Sequence, residues 1–258
     1  MNHRDLKVRI FLFFLFIFIS GSDLKAGMDI KQLEQWLKAP GYVTRETALK
    51  AIGKQKEKEL LPKVLEIIQK DKDERVRKQC AIALGEIGSK DATEVLLKML
   101  AEDSSVAVKA ESAKALGLIK DTSAIEKLLQ YLHEEFSKSR SVRVAIVRSL
   151  GEIGDPSVSF FLVELLSDAD NEARKEAIRA LDMLNEPKAQ YFIIDMIDGD
   201  PDISVRLLAC DYLSRKGTKK MITELENVQK NIVKEKYFEV RDKIPLIIKA
   251  IKKRERIK

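Results

Sequence analysis

The chain from about residue 40 to residue 217 alternates two kinds of amphipathic segment. The first kind, for example residues 76–87, places small and apolar residues at i, i+3, i+4 and i+7 and ends at a glycine or polar turn. The second kind, for example residues 95–100, carries adjacent pairs of large aliphatic residues. Both spacings put the apolar side chains on one face of a helix. The pattern therefore predicts an all-α protein built from helix pairs.

One short motif recurs in the first helix of every pair. A small or β-branched residue is followed by Arg or Lys and, six residues further on, by a triplet that resembles Ala-Leu-Gly. The dipeptides are Thr44-Arg45, Val76-Arg77, Val108-Lys109, Val142-Arg143, Ala173-Arg174 and Val205-Arg206, at spacings of 32, 32, 34, 31 and 32 residues. Because one pair cannot bury its apolar face alone, the pairs must stack. The sequence predicts an α-solenoid of about six helix pairs over residues 40–217.

Both ends of this array are predicted to be covered. Residues 23–39 contain a helical apolar pattern that suits a lone N-terminal capping helix. Residues 218–258 supply the last repeat helix and a basic C-terminal cap. The helix that carries the apolar face of this cap is expected to be kinked or restarted at Pro245.

The N-terminus has the pattern of an export signal. Arg4, Lys7 and Arg9 precede an apolar run at residues 10–19, and the small residues 20–22 follow. We expect cleavage after Ser22, with Ala26 as the second choice, and a periplasmic or secreted protein. An uncleaved anchor is the alternative, and in both cases the repeats lie outside the cytoplasm.

Charge is distributed unevenly along the chain. Charged residues make up 34% of the sequence and the formal net charge is +6, but the basic residues are concentrated at the two ends, and the body is mildly acidic. This distribution argues against a nucleic-acid groove along the repeats. Cys80 and Cys210 lie about four repeats apart among aliphatic residues, so we interpret them as small buried apolar side chains.

The motif Val-Arg … Ala-Leu-Gly-x-Ile-Gly is best seen in residues 76–88 and 142–156. In this motif the sequence resembles the HEAT-repeat family, in particular the short bacterial HEAT-like repeats of phycobilisome lyases. The resemblance implies a structural ladder of hydrogen bonds along the stack. The residues that match it are Asp71, Arg77, Asp103, Lys109, Asp168, Arg174, Asp200 and Arg206. Ser137 replaces the expected aspartate before Arg143, and the linker 133–141 is two residues longer than its counterparts. We therefore expect the ladder to be interrupted between repeats three and four.

Residues that suggest catalysis or metal binding are few. His133 is the only histidine after the predicted leader, and the sequence has neither a nucleophile elbow nor a phosphate-binding loop. A cluster of His133 with Glu134, Glu135 and Asp103 is interpreted as a solvated linker. The aspartates of residues 198–202 alternate as in a calcium loop, but Ile203 and Ala209 stand where an EF-hand needs Gly and Glu. We interpret this segment as an acidic turn with a helix cap and predict no catalytic, cofactor or metal site.

Two groups of residues are candidates for recognition. Phe160, Phe161, Tyr191 and Phe192 occupy equivalent positions in the second helices of repeats four and five. Phe161 and Phe192 are expected to be half-buried, and Phe160 and Tyr191 exposed, so the group forms either extra core packing or an apolar recognition surface. The second group is basic and lies near the C-terminus: Lys249, Lys252, Lys253, Arg254 and Arg256. It forms either a solvated cap or a docking site for an anionic surface.

The sequence thus favours an exported, non-catalytic scaffold or adaptor of the bacterial cell envelope that holds a protein or peptide on its concave face. The resemblance leaves an enzyme related to the HEAT-like bilin lyases as one alternative. A peripheral membrane or wall factor, docked through its basic C-terminus, is the other.

Overall fold

A computed structural model describes residues 28–133, 139–232 and 238–256 of the chain. The predicted leader, residues 1–22, and Ser137 lie outside these residues. The described residues contain fourteen α-helices and no strands, so the predicted all-α solenoid is confirmed. The helices are α1 Ile30–Leu37, α2 Tyr42–Gln55, α3 Leu61–Lys70, α4 Glu74–Ile87, α5 Thr93–Glu102, α6 Val106–Ile119, α7 Ile125–His133, α8 Arg140–Ile153, α9 Ser159–Glu164, α10 Asn171–Leu184, α11 Ala189–Gly199, α12 Ile203–Lys216, α13 Ile222–Ile232 and α14 Phe238–Arg254.

The turns that join these helices follow from local sequence. Aspartates cap several first helices: the side chains of Asp73, Asp170 and Asp202 each accept a hydrogen bond from the backbone N–H two residues further on. At the other end of the first helices, Gly88 and Gly154 adopt φ of 71° and 81°, the left-handed conformation that ends a helix. Non-glycine residues, among them Lys120, take this conformation in other repeats.

The first helices of the pairs (α2, α4, α6, α8, α10 and α12) pack closely against one another. In repeats one to four glycine makes this approach possible: a Cβ added to Gly85 would lie 2.9 Å from the Cα of Ala115, and one added to Gly151 would lie 2.7 Å from that of Ala180. The second helices (α3, α5, α7, α9, α11 and α13) barely touch their neighbours in the stack. A stack whose layers are closer on one side must bend toward that side. We therefore infer that the first helices form the concave face.

The second helices fill the space between layers with large aliphatic side chains, such as the fully buried Leu96, Leu128 and Leu162. Repeat four departs from the others, since α9 ends at Glu164 and continues as a 3₁₀ turn over Leu165–Ser167. A 3₁₀ turn rises about 2 Å per residue against about 1.5 Å in an α-helix, so it spans the same distance with fewer residues. This accounts for the spacing of 31 residues at this repeat.

Helices outside the six pairs cover the ends. Helix α1 buries Leu33 and Leu37 against α2. Helix α14 packs against α12 and α13, runs through Pro245 without ending there, and takes the place of the first helix of a seventh repeat. Val240-Arg241 at its start repeats the dipeptide motif, a match that the sequence analysis missed.

Among the described residues, no helix has the length and apolar composition needed to cross a membrane. Cys80 and Cys210 are both free and buried, as expected. Burial raises the pKa of Cys210 to about 12 and that of Cys80 well above its usual range, which favours the neutral thiol over the reactive thiolate.

Candidate functional site

The ladder residues join each repeat to the next. Arg77 in α4 holds Asp103 of the following repeat with two hydrogen bonds, Nε to Oδ2 at 2.7 Å and Nη2 to Oδ1 at 2.9 Å. Its third nitrogen, Nη1, donates to the backbone carbonyl of Asp71 at 3.0 Å. The Arg174–Asp200 pair has the same geometry, at 2.7 and 2.8 Å. Arg45 with Asp71 forms a further rung that the sequence analysis did not include.

Each carboxylate of the ladder also accepts a backbone N–H. For Asp103 the donor is Ser105, at 2.8 Å. Burial by itself would raise the pKa of Asp103, but the hydrogen bonds from Arg77 and from the Ser105 N–H outweigh it and lower the pKa below its usual value. The ladder therefore combines an inter-repeat ion pair with a turn, and its role is structural.

The hydrogen-bond pattern of the ladder differs around the joint between repeats three and four. Lys109 donates to the backbone carbonyl of Ala101 at 2.8 Å. Arg143 reaches the next repeat through Nη2 alone, 3.4 Å from Asp168 and 3.3 Å from Asp170, and its buried Nε has no hydrogen-bond partner. This rung is longer and less complete than those formed by Arg77 and Arg174.

The acidic turn at residues 198–202 is used by the ladder and by a helix cap. Asp200 accepts from Arg174, and Arg206 donates to the Asp200 carbonyl. Hydrogen bonds from Ser204 and Asn171 lower the pKa of Asp202 to about 2. Among the residues that the structure describes, no three His, Cys, Asp or Glu side chains form a cluster suited to a metal ion.

A buried carboxylate on the first helices was missed from the sequence. Glu176 in α10 is 2% exposed and accepts hydrogen bonds from Arg148 of repeat four and Arg179 of its own helix. Burial by itself would raise the pKa of Glu176. The hydrogen bonds and positive charges of Arg148 and Arg179 outweigh this effect, so the pKa of Glu176 lies below its usual value. Nearby Glu152 lacks such hydrogen bonds, and burial raises its pKa. These groups tie repeats four and five together on the concave side.

The four aromatic candidates lie on α9 and α11. Phe160 is 67% exposed, Tyr191 44% and Phe192 48%. Phe161 is half-buried and makes edge-to-face contacts with Phe160 and with His133, each at a centroid distance of 6.0 Å. Phe192 was expected to be half-buried beside an exposed Tyr191, but it is as exposed as Tyr191, because its ring lines an open groove instead of packing between layers.

That groove lies between α9 and α11 and has a volume of about 500 Å³. Its apolar lining comes from Val163, Leu166, Phe192 and Met196, and its acidic lining includes Asp195. A smaller groove of about 220 Å³ lies one layer earlier and contains His133, Phe161 and Glu164. The two grooves share Ser167 and Asp168 in their linings, and Phe161, which contacts Phe160, lines the smaller groove. Both grooves lie on the second-helix side, opposite the concave face.

The basic candidates lie near the end of α14. Lys249 and Lys253 are exposed, Lys252 is half-buried, and Arg256 follows the helix. Arg254 has a structural contact, because its guanidinium donates to the backbone carbonyls of Ser214 and Gly217 at the end of α12. Arg254 thus ties α14 to the preceding repeat.

Comparison with known proteins defines the class. The sequence profile of the family described as HEAT repeats matches residues 30–109, 93–170 and 158–231. The chain therefore belongs to the HEAT-repeat family, and the resemblance noted in the sequence is confirmed. No curated protein matches the chain.

Solved structures share the fold at low identity. A chain from the complex of CpcE and CpcF of phycocyanin lyase from Nostoc sp. PCC7120 is 17% identical, with a TM-score of 0.58 over 90% of this chain and 98% of that one. An archaeal HEAT-like repeat protein from Thermococcus onnurineus NA1 is 16% identical, with a TM-score of 0.51 over 86% of this chain and 98% of that one. The structure of Kap95p with RanGDP matches at 16% identity and a TM-score of 0.60, over 90% of this chain and 36% of that one.

Proposed function

We propose that the protein is an exported, non-catalytic scaffold that binds a protein partner. The observation that carries this proposal is the exposure of Phe160, Tyr191 and Phe192 on two adjacent layers of the stack. Aromatic side chains are enriched in protein interfaces, and groups of exposed large apolar side chains often mark an interaction site. The solved complexes of CpcE with CpcF and of Kap95p with RanGDP give the proposal further support, since each joins this fold to another protein.

The proposed surface differs from the one expected from the sequence. The sequence favoured a partner on the concave face, whereas the exposed aromatic rings lie on the second helices, on the other side of the stack. On the concave side, the inter-repeat contacts of Arg148, Glu176 and Arg179 already occupy part of the polar surface. We therefore place the partner on the second-helix side of repeats four and five.

Site-specific photo-crosslinking in the intact cell tests this placement. A photoreactive amino acid at position 191 should give a discrete crosslinked product, and mass spectrometry of that product identifies the partner. The matched control is position 94, exposed at the same register of repeat two, and Leu118, 54% exposed on a first helix, samples the concave side. A product at position 118 but not at 191 would move the partner to the concave face. Uniform labelling at all three positions would refute a specific surface.

Export is a separate part of the proposal and rests on the basic and apolar pattern of residues 1–22. The mature protein is expected to begin at Asp23 in the periplasm or in the medium. Mass spectrometry of the N-terminus tests this directly, and a cytoplasmic protein that retains Met1 would contradict it.

A further inference from the structure

The second helices of repeats four and five differ from the others in charge. Residues 149–173 and 189–205 contain neither lysine nor arginine, although the chain carries 47 of these residues. Each of α3, α5, α7 and α13 contains at least one lysine. The aromatic surface is thus set in the most acidic part of a chain whose net charge is positive.

Three carboxylates in this region lack a structural task. Asp168 and Asp200 serve the ladder, and Asp202 caps α12, but no described Lys or Arg pairs with Glu164, Asp195 or Asp198. Glu164 and Asp195 are exposed and occupy the same register of adjacent layers, four residues after Phe160 and Tyr191. Each layer therefore presents an exposed ring and, one helical turn away, an exposed carboxylate.

From this arrangement we infer that the face formed by α9 and α11 binds a cationic amphipathic segment of the partner protein, with apolar side chains seated against Phe160, Tyr191 and Phe192 and with Lys or Arg opposite Glu164 and Asp195. The inference rests on the proposed function and adds the chemistry of the partner. Unpaired carboxylates around an apolar groove attract positive charge and repel acidic competitors, so they set specificity and the rate of association.

The spacing of the surface suits a helical segment. Closely packed helices lie roughly 8–10 Å apart, and α9 and α11 barely touch, so their layers are separated by at least this distance. Residues i and i+7 of a helix are separated by about 10.5 Å, and residues i and i+11 by about 16.5 Å. A helix that crosses α9 and α11 can therefore place apolar residues of one face, two or three turns apart, against both layers, as in the recognition of an amphipathic helix in a groove.

The test uses the full mature chain and two labelled helical peptides of about fourteen residues, one of Leu and Lys and one of Leu and Glu with the same apolar positions. Fluorescence anisotropy is expected to show binding of the Leu/Lys peptide only, with an affinity that falls as salt rises. The pair Glu164→Gln and Asp195→Asn should weaken binding about tenfold and flatten the salt dependence. Phe160→Ser with Tyr191→Ser should weaken it by at least as much.

Matched controls lie at the same registers of other repeats. Glu66→Gln, equivalent to the change at Glu164, and the pair Glu94→Ser with Glu126→Ser, equivalent to the aromatic pair, should leave the affinity unchanged. Circular dichroism checks that every variant is folded.

The remaining outcomes separate the inference from the proposed function. Equal binding of the two peptides, lost only in the aromatic variant, would overturn the cationic partner and leave the aromatic docking surface intact. The inference would also be overturned if neither peptide binds, or if the control Glu66→Gln loses as much affinity as the Glu164→Gln and Asp195→Asn pair. In both cases crosslinking at position 191 remains an independent test of the docking surface. The native chain could instead form a dimer that the Glu164→Gln and Asp195→Asn pair converts to monomers. That result would assign the face to a second copy of the chain and would overturn the inference too.

Discussion

The rung between Arg174 and Asp200 gives the sharpest prediction about what holds the array together. Both residues are 6% exposed, and Asp200 accepts two hydrogen bonds from Arg174 and one from the backbone N–H of Asp202. Asp200→Ala leaves a buried guanidinium without its counter-charge and an N–H without its acceptor. Breaking a buried ion pair on one side costs about 3–5 kcal/mol, and we expect a loss of stability in this range.

Urea unfolding followed by circular dichroism at 222 nm measures the loss, and an unchanged m-value shows that it belongs to the folded state. The control is Asp211→Ala, which breaks the exposed pair with Lys243 (side chains 57% and 40% exposed) and should cost less than about 1 kcal/mol. Hydrogen exchange should show the loss in repeats five and six first, because each repeat contacts only its neighbours.

A double substitution tests the cause. Arg174→Met with Asp200→Leu removes both charges and should recover much of the stability lost in Asp200→Ala, because apolar residues of similar volume can replace a buried pair. If Asp200→Ala costs no more than Asp211→Ala, the ladder does not stabilise the stack and the reasoning is wrong. If the double variant is as unstable as the single one, the cost comes from packing and not from the unpaired charge.

Three further predictions concern single positions. Gly151→Ala should cost roughly 1–3 kcal/mol, because the added methyl group would lie 2.7 Å from the Cα of Ala180, whereas Gly199→Ala, with no atom within 4 Å, should be neutral or slightly stabilising in the same urea titration. Lys120→Gly should stabilise the protein by about 0.5–1 kcal/mol, since Lys120 holds φ of 56°, and a lower urea midpoint would contradict this. Glu152→Gln should raise the melting temperature at pH 7, because burial raises the folded-state pKa of Glu152 and its charged form therefore destabilises the folded protein. This destabilisation disappears as the pH falls below the pKa of Glu152 in the unfolded chain. An equal effect of Glu152→Gln at pH 7 and pH 3 would exclude this explanation.

The fold could be predicted from the sequence because a repeat gives the same signal many times. The motif at Val76-Arg77 recurs with nearly constant spacing, and each occurrence independently predicts the same helix pair. The rung from Arg45 to Asp71 was within reach of the same reasoning, since both residues stand at the register of Arg77 and Asp103. Val240-Arg241 was harder to find because its spacing from the sixth motif is 35 residues.

The candidate site could be predicted only in part. The register of Phe160 and Tyr191 was visible in the sequence, but the exposure of Phe192 depends on the space between α9 and α11, which no local pattern encodes. The burial of Glu176 likewise depends on Arg148, 28 residues earlier on a neighbouring helix. Contacts between repeats are set by the stack and not by the period of one helix.

The last helix presents a different outer surface from the first helices that come before it. The first helices α2, α4, α6 and α8 present glycine where the next layer approaches, and α10 and α12 have Asp182 and Ser214 there. Alignment of Val240-Arg241 with the motif places Lys249 at that position of α14, with Pro245 one turn earlier. Both residues are exposed, and a lysine side chain leaves no room for another helix at the distance found at Gly85 and Gly151. A duplicated repeat added after α14 would therefore have to pack at a larger distance than the repeats that meet at glycine.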